Sequence, residues 1–488
     1  MYLDLKHEVR LTVSADQDKR LQIERATDIR QHTRRGVRRQ ELSWITERKE
    51  SLMSRKQLNL TALLPLIFAL LTACGISKKT ESTIVAADVP ASLSRQERIE
   101  IFEEVWKTIN EQYYDSSFHG VNWQETHDRY RPRVETAEND IEFYRLFEEM
   151  LAVLRDAHTV FRHPQADAGS SINPPGSVGI SLGEVEGKTA ITAVEADSDA
   201  ARAGVKPGMI LRTVNSKSIE ELYAEIRSHF AGSSTEQAMK GVMHRALLYG
   251  GFLGASRTFG VEDYNGKVLD FAVTHFGARP SEIPTLTARR LSSGFGYIKF
   301  DGWKPPVDER FKAELANLMD TPGLIIDLRG NGGGHTDVQL NIGSLFFPSE
   351  TSLGSFKKRG GQPERIITHK SGQVYKGKVV VLVDEGSASA SEVFAAAMQE
   401  HHRAMIIGRQ TCGCVLNSWS KPLRGGGTLR WSARVYTSPR SRALEGVGVT
   451  PDDTVALTLS DLRQGRDVAL EAAENTLRAG RQNFQEGN

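Results

Sequence analysis

Four short apolar runs constrain the fold more than anything else in the chain: Phe295-Gly296-Tyr297-Ile298-Lys299-Phe300, Gly323-Leu324-Ile325-Ile326-Asp327-Leu328, Lys378-Val379-Val380-Val381-Leu382-Val383 and Ala404-Met405-Ile406-Ile407-Gly408. None alternates polar with apolar residues, so each reads as a strand covered on both faces, and helices must separate them. Val338 to Phe346 and Glu392 to Glu400 supply two such helices. The expectation is a βαβ-type core of α/β class over residues 285–457, followed in residues 458–488 by a C-terminal helix from Arg466 to Arg478.

A chain of 488 residues is too long for one hydrophobic core, which stops growing at roughly 250–300 residues, so further modules are expected. Residues 93–165 form an all-helical one, because Ile99, Phe102, Val105, Trp106 and Ile109 recur at helical spacing. Ile141, Phe143, Leu146, Phe147, Met150, Leu151 and Leu154 repeat the pattern. Residues 172–275 carry strand and turn signals: Ala190-Ile191-Thr192-Ala193-Val194, then a short helix ending near Gly204, then Pro207-Gly208 before Met209-Ile210-Leu211. This order resembles a PDZ domain, with Val178, Gly179, Ile180, Ser181 and Leu182 at the place of its carboxylate-binding loop. Such a module holds a C-terminal tail as an added strand. A β-rich module without a ligand is the competing reading, since glycine-rich loops are common.

The composition, 39% hydrophobic and 25% charged, excludes a disordered chain. A net charge of +1 gives no general attraction to nucleic acid, so no nucleic-acid partner is expected. Three cysteines cannot make a disulfide framework. Ahead of the modules, Met53-Ser54-Arg55-Lys56, the apolar Leu58 to Thr72 and Leu71-Thr72-Ala73-Cys74-Gly75 have the three parts of an export signal. The stretch is too short to span a bilayer and contains Pro65. Leu71 to Cys74 resembles a bacterial lipoprotein cleavage box, which makes Cys74 the site of lipidation and the membrane a partner through an N-terminal anchor. On this reading residues 53–74 are a signal peptide, 75–92 a tether, and 1–52 an untranslated or disordered extension. The location is the bacterial envelope, facing the periplasm, with Gly75 favouring the outer membrane.

Two segments could carry chemistry. Val379–Val383 runs into Asp384-Glu385-Gly386-Ser387-Ala388-Ser389-Ala390-Ser391-Glu392 and then a helix. A hydroxyl at such a turn lies beside the free N–H groups of the helix start, which stabilise developing negative charge. The alternative is that the serines only cap the helix, Ser389-x-x-Glu392 being a capping box. The second segment, Asp327-Leu328-Arg329-Gly330-Asn331-Gly332-Gly333-Gly334, lacks the Lys-Ser/Thr ending of a phosphate-binding loop, but its glycines suit an oxyanion hole.

Asp327 to Gly334, Gly386 to Glu392, Gly408-Arg409-Gln410-Thr411-Cys412-Gly413 and Glu445-Gly446-Val447-Gly448-Val449-Thr450-Pro451-Asp452 occur in the order found in the C-terminal processing peptidases, which the chain resembles from Ser94 onward. The resemblance makes Ser389 the nucleophile, and the N–H of Ala390 with that of Gly332 or Gly333 the oxyanion hole. The best-known members use a lysine directly after the position of Gly413; this chain has Cys414 there. Cys412 and Cys414 read as packed strand residues, since a disulfide between positions two apart would be strained. Another base is required. Arg155-Asp156-Ala157-His158-Thr159 and Leu444 to Gly448 resemble the segments that supply a catalytic His and an acid in the related tricorn-core proteases. By that resemblance His158 is the general base and Glu445 orients it or stabilises its charged form. Those sites also carry a serine where this chain has Ala157. His158 as a structural residue is the alternative.

Ser355-Phe356-Lys357-Lys358 fits Ser-x-x-Lys, yet is expected in a polar loop. Glu400-His401-His402 lacks zinc-ligand spacing, so neither metal nor cofactor is expected. The function so read is a serine endopeptidase acting on polypeptide tails; a catalytically inactive binding protein or PDZ scaffold of the same fold is the alternative, motivated by Cys414.

Overall fold

The computed structural model describes residues 93–162, 177–229, 233–249, 257–274 and 283–480. The expected extension, signal peptide, Cys74 and tether all lie outside the described residues.

The core sheet has the order Asp453–Thr454, Met405–Gly408, Lys378–Val383, Gly323–Asp327, Gly296–Phe300, Leu286–Arg290. Every neighbouring pair is parallel except the last. The unbroken apolar runs are explained by layers on both faces. On one face Ile298, Leu324, Ile326, Val379 and Val381 pack against helices Val307–Ala316, Thr336–Gly343 and Ala390–Glu400. On the other, Tyr297, Ile325, Val380 and Leu382 meet Ala469, Ala473 and Leu477 of the C-terminal helix Val468–Ala479.

The register sets the position of the site. Asp327 lies opposite Leu382, and Val383 opposite Gly408. Three parallel neighbours therefore end together, and the segments that follow them emerge at one edge, where open α/β sheets place their ligand crevice.

A second sheet joins Val160–Arg162, Thr428–Thr437, Ser352–Lys358 and Glu364–Ile367 in that order, with Asn417–Pro422 also paired to Thr428–Thr437. Ser355 to Lys358 thus lies on a strand rather than in a polar loop, because Phe356 is buried against the core.

The N-terminal segment has helices Arg95–Gln112, Trp123–Thr136 and Asp140–Ala152. Ser94 accepts a hydrogen bond from the Glu97 N–H while the Glu97 carboxylate accepts the Ser94 N–H, a capping box that starts the first helix. The segment is not all-helical: Val160–Arg162 is a strand of the second sheet. Ile141, expected inside, is exposed. Phe143, Phe147 and Leu151 share a core with Leu429 and Trp431 of the second sheet, and Val160–Arg162 pairs with the same strand, so the segment carrying His158 is fixed to the second sheet at both of its ends.

A middle sheet has the order Ile180–Val185, Lys188–Val194, Ile210–Val214, Arg257–Glu262, Val268–Val273. Short helices Asp199–Arg202 and Ile219–His229 and a longer one, Glu236–Tyr249, accompany it. Among the described residues Ile180–Val185 has a partner on one side only and so forms an edge.

Candidate active site

The serine-rich turn separates its hydroxyls into two kinds. Ser387 is fully buried; its hydroxyl donates to Leu328 O at 2.8 Å and accepts from Asp384 N–H at 3.0 Å. Ser391 is fully buried as well, donating to Asn331 O at 2.9 Å and accepting from Trp303 Nε1 at 2.8 Å. Ser389, between them, is only half-buried. Half of the capping box with Glu392 is present, the Glu392 carboxylate accepting the Ser389 N–H at 3.0 Å, but the Ser389 hydroxyl makes no capping hydrogen bond among the described residues; the Glu392 N–H goes to the Ser389 carbonyl at 2.9 Å. Ser389 also has φ +55° and ψ −116°, a backbone region that L residues occupy only when their surroundings enforce it.

The surroundings do so. The three strand-end segments are cross-bonded: Ala388 N–H to Asn331 O at 3.0 Å, Ser389 N–H to Cys414 O at 2.9 Å, Cys412 N–H to Ser387 O at 3.0 Å. Gly333 sits so close that a Cβ there would lie 2.7 Å from Ser389 Cβ and 2.9 Å from Ala390 N. Only glycine fits, at φ +94°. Its N–H is taken by Asn331 Oδ1 at 3.0 Å, whereas the Gly332 N–H has no such partner among the described residues. Of the two glycines expected to line an oxyanion hole, Gly332 is thus the one with a donor to spare.

The glycine segment is braced from behind. Arg329 donates from Nε and Nη2 to both oxygens of the fully buried Asp327 and from Nη1 and Nη2 to Asp467, which caps the C-terminal helix through Leu470 N–H. Burial alone would raise the Asp327 carboxyl, but hydrogen bonds and charge from Arg329, with Lys299 and Tyr297, hold it below the usual range.

Cys412 and Cys414 form a disulfide, contrary to the expectation of two packed thiols. Gly413 between them has φ +72°, and the turn brings the Cα atoms to 5.3 Å, inside the range that a cystine spans. The cystine packs with Ala238, Ala157 and Ala388, so the neighbours of His158 and of Ser389 meet in one apolar cluster.

His158 is buried, and its Nδ1 has no hydrogen-bond partner. Burial first, then the positive charge of Arg430, push its pKa down to about 4, against the opposing pull of Asp156. The ring is therefore a neutral base at ordinary pH. Asp156 accepts the His158 backbone N–H at 2.8 Å and the Thr159 hydroxyl at 2.5 Å. Among the described residues no hydrogen bond joins His158 to Ser389 or to Glu445. The Glu445 Oε2 accepts Val415 N–H at 2.7 Å and Leu416 N–H at 3.2 Å. Burial raises its pKa to about 7, and the charges of Asp156 and Glu392 add to the rise while Ser234 and Val415 oppose it. Glu445 faces a cavity of about 600 Å³ shared with Tyr114, His119, Arg155 and Ser234. Arg430 could not be found as a neighbour of the site from the sequence, because nothing in a linear pattern shows a strand pairing across 270 residues such as Val160 with Arg430; Asp156 and Asn331 lie inside the motifs, but their bonding roles do not show in a linear pattern.

An α/β core with a serine at a strand-to-helix turn and a glycine segment against it is an arrangement suited to acyl transfer. Residues 294–455 match peptidase family S41 and residues 94–152 match the tricorn protease C1 domain. The carboxyl-terminal-processing protease of Synechocystis sp. is 24% identical over 84% of this chain and 93% of its own. The chloroplastic carboxyl-terminal-processing peptidase 2 of Arabidopsis thaliana is 26% identical over 81% of this chain and 75% of its own. Among solved structures, a photosystem II D1 C-terminal processing protease superposes with a TM-score of 0.54 at 22% identity, over 78% of this chain and 97% of its own. Mature CPAF does so with a TM-score of 0.60 at 13% identity, over 80% and 99%. Residues 294–455 thus form a peptidase family S41 domain, a serine peptidase domain, and the chain as a whole is similar to the C-terminal processing peptidases.

Proposed function

We propose that Ser389 attacks the scissile carbonyl, that His158 takes its proton and returns it to the leaving amine, and that the Ala390 and Gly332 N–H groups hold the oxyanion. Water then hydrolyses the acyl-enzyme by the same route. The observation that carries this reading is the contrast at the serine turn: Ser387 and Ser391 are buried and hydrogen-bonded, while Ser389 keeps an uncommitted hydroxyl beside Gly333. Glu445 serves as an acidic partner that favours the charged imidazole. The lysine expected of the best-known relatives is replaced by Cys414, whose backbone carbonyl accepts the Ser389 N–H.

The substrates are exposed or unfolded polypeptide tails. The middle sheet is read as a PDZ-like module that captures or gates them: Val178 to Leu182 enters the edge strand, Gly179 has φ +81°, and that strand has no second partner among the described residues, as a strand that accepts an added one must. Cys74 anchors the protein to the bacterial envelope, facing the periplasm, with the outer membrane preferred.

Turnover of unfolded casein by the full chain across pH tests the assignment. His158, at about 4, stays neutral over the working range, so it sets no limb near 6.5. Glu445, raised from 4.5 to about 7, is protonated in the fold below that pH. We expect kcat/KM to rise with a midpoint near 7 and Glu445→Gln to abolish that inflection. The stability contribution runs the other way. A raised carboxyl stabilises fully below its unfolded value of 4.5 and loses that contribution as pH climbs to about 7. An unchanged inflection in Glu445→Gln contradicts the role given to Glu445; absence of any turnover favours an inactive binding protein.

A further inference from the structure

A capping box asks one thing of its acidic residue, that it accept the N–H of the cap. Glu392 accepts that bond from Ser389 at 3.0 Å and three more. Its Oε2 also takes Cys414 N–H at 2.9 Å, and its Oε1 takes Gly413 N–H at 2.7 Å and the Thr411 hydroxyl at 2.5 Å. The side chain is fully buried, and no cation forms an ion pair with it among the described residues. A buried carboxylate held only by N–H and O–H dipoles is costly to keep, and three of its four donors come from the segment at 411–414, not from its own helix.

The consequence falls on the nucleophile. Ser389 is held at positive φ by Gly333 on one side and, on the other, by a backbone bond to Cys414 O and the bond to Glu392. Residue 414, where lysine-using relatives carry their base, is bonded through its N–H to the same carboxylate that bonds the nucleophile's N–H.

We propose that Glu392 is a positioning residue that locks Ser389 and the Thr411–Cys414 segment in one register, so that the Ser389 hydroxyl and the Ala390 N–H point where acylation needs them. This rests on the reading of Ser389 as nucleophile. The test is acylation of the full chain by a fluorophosphonate probe, with the labelled residue mapped by mass spectrometry and the first-order rate at saturating probe read only on the population that labels. Molecules that fail to fold do not enter that rate. Glu392→Gln, which turns amide N–H groups toward the donors, is expected to slow it about tenfold or more without shifting the half-saturating concentration. Thr411→Val, which removes one of the four donors, is expected to slow it by a smaller factor. A wild-type rate in Glu392→Gln overturns the proposal and leaves the nucleophile assignment standing. Should Glu392→Gln yield no folded protein, a wild-type rate in Thr411→Val overturns it instead. A wild-type chain that does not label at Ser389 overturns the nucleophile assignment and the proposal together.

Discussion

Ser389→Ala is expected to lower casein hydrolysis by at least about a thousandfold, the loss that follows when a serine hydrolase loses its nucleophile, with no change in the urea midpoint of unfolding. The stability half of this expectation follows from the structure: the hydroxyl makes no capping bond, and the bonds that fix the turn use backbone atoms and the Glu392 carboxylate. Ser391→Ala separates site from scaffold. Its hydroxyl joins Trp303 to Asn331 in a fully buried position, so this variant should lose stability by about 1–3 kcal/mol, through the donor and acceptor left unpaired. Equal turnover by wild type and Ser389→Ala would reject the serine mechanism.

The second large effect is on stability. Arg329→Ala removes the cation from a fully buried Asp327 and leaves Lys299 at 3.9 Å as its remaining ion partner. Breaking a buried pair from one side costs about 3–5 kcal/mol. Asp467→Ala removes a carboxylate that is 41% exposed and should cost about 1 kcal/mol or less as an ion pair, apart from the lost helix cap. Chemical denaturation at unchanged m-value measures both. The loss in Arg329→Ala should shrink on acidification, because a carboxyl held low in the fold stabilises only above its unfolded range and that contribution disappears as pH falls. Arg329 also opens the glycine segment, so the variant is expected to lose activity ahead of global unfolding. A midpoint close to wild type would show that the Asp327 charge has other compensation.

How much of this was legible in the sequence depended on where the information lay. The strands Gly323–Asp327 and Lys378–Val383 were readable because burial on both faces leaves a local signature of unbroken apolar residues. Helix Trp123–Thr136 fell inside the stretch expected to be helical, but its bounds were not readable, since its buried stripe mixes Thr126 with Trp123, Tyr130 and Val134 and Pro132 lies within it. Thr428–Thr437 interleaves Arg430, Ser432 and Arg434 with its apolar residues, and its role as the hub of the second sheet is a matter of pairing across the chain. Helix Val307–Ala316 likewise leaves a thin local pattern, with only Val307, Phe311 and Leu315 buried. At the site, motif order pointed to Ser389 among its neighbours, but the physical reason, that the flanking serines are consumed by Leu328, Asn331 and Trp303, required the fold. Spacing alone does not reveal the positive φ of Gly413 that closes the turn, and so does not reveal the Cys412–Cys414 disulfide. The unpartnered Nδ1 of His158 depends on burial beside Arg430 and Asp156, which no local pattern encodes.

In the proposed mechanism an imidazole from the N-terminal segment serves the alcohol at the start of Ala390–Glu400. The first-order rate at which a fluorophosphonate acylates Ser389 in His158→Ala, compared with wild type at neutral pH, tests it most directly. General-base assistance contributes about a hundredfold or more, so a fall of at least that size is expected, with the labelled residue unchanged. A His158→Ala protein that acylates at the wild-type rate would contradict it.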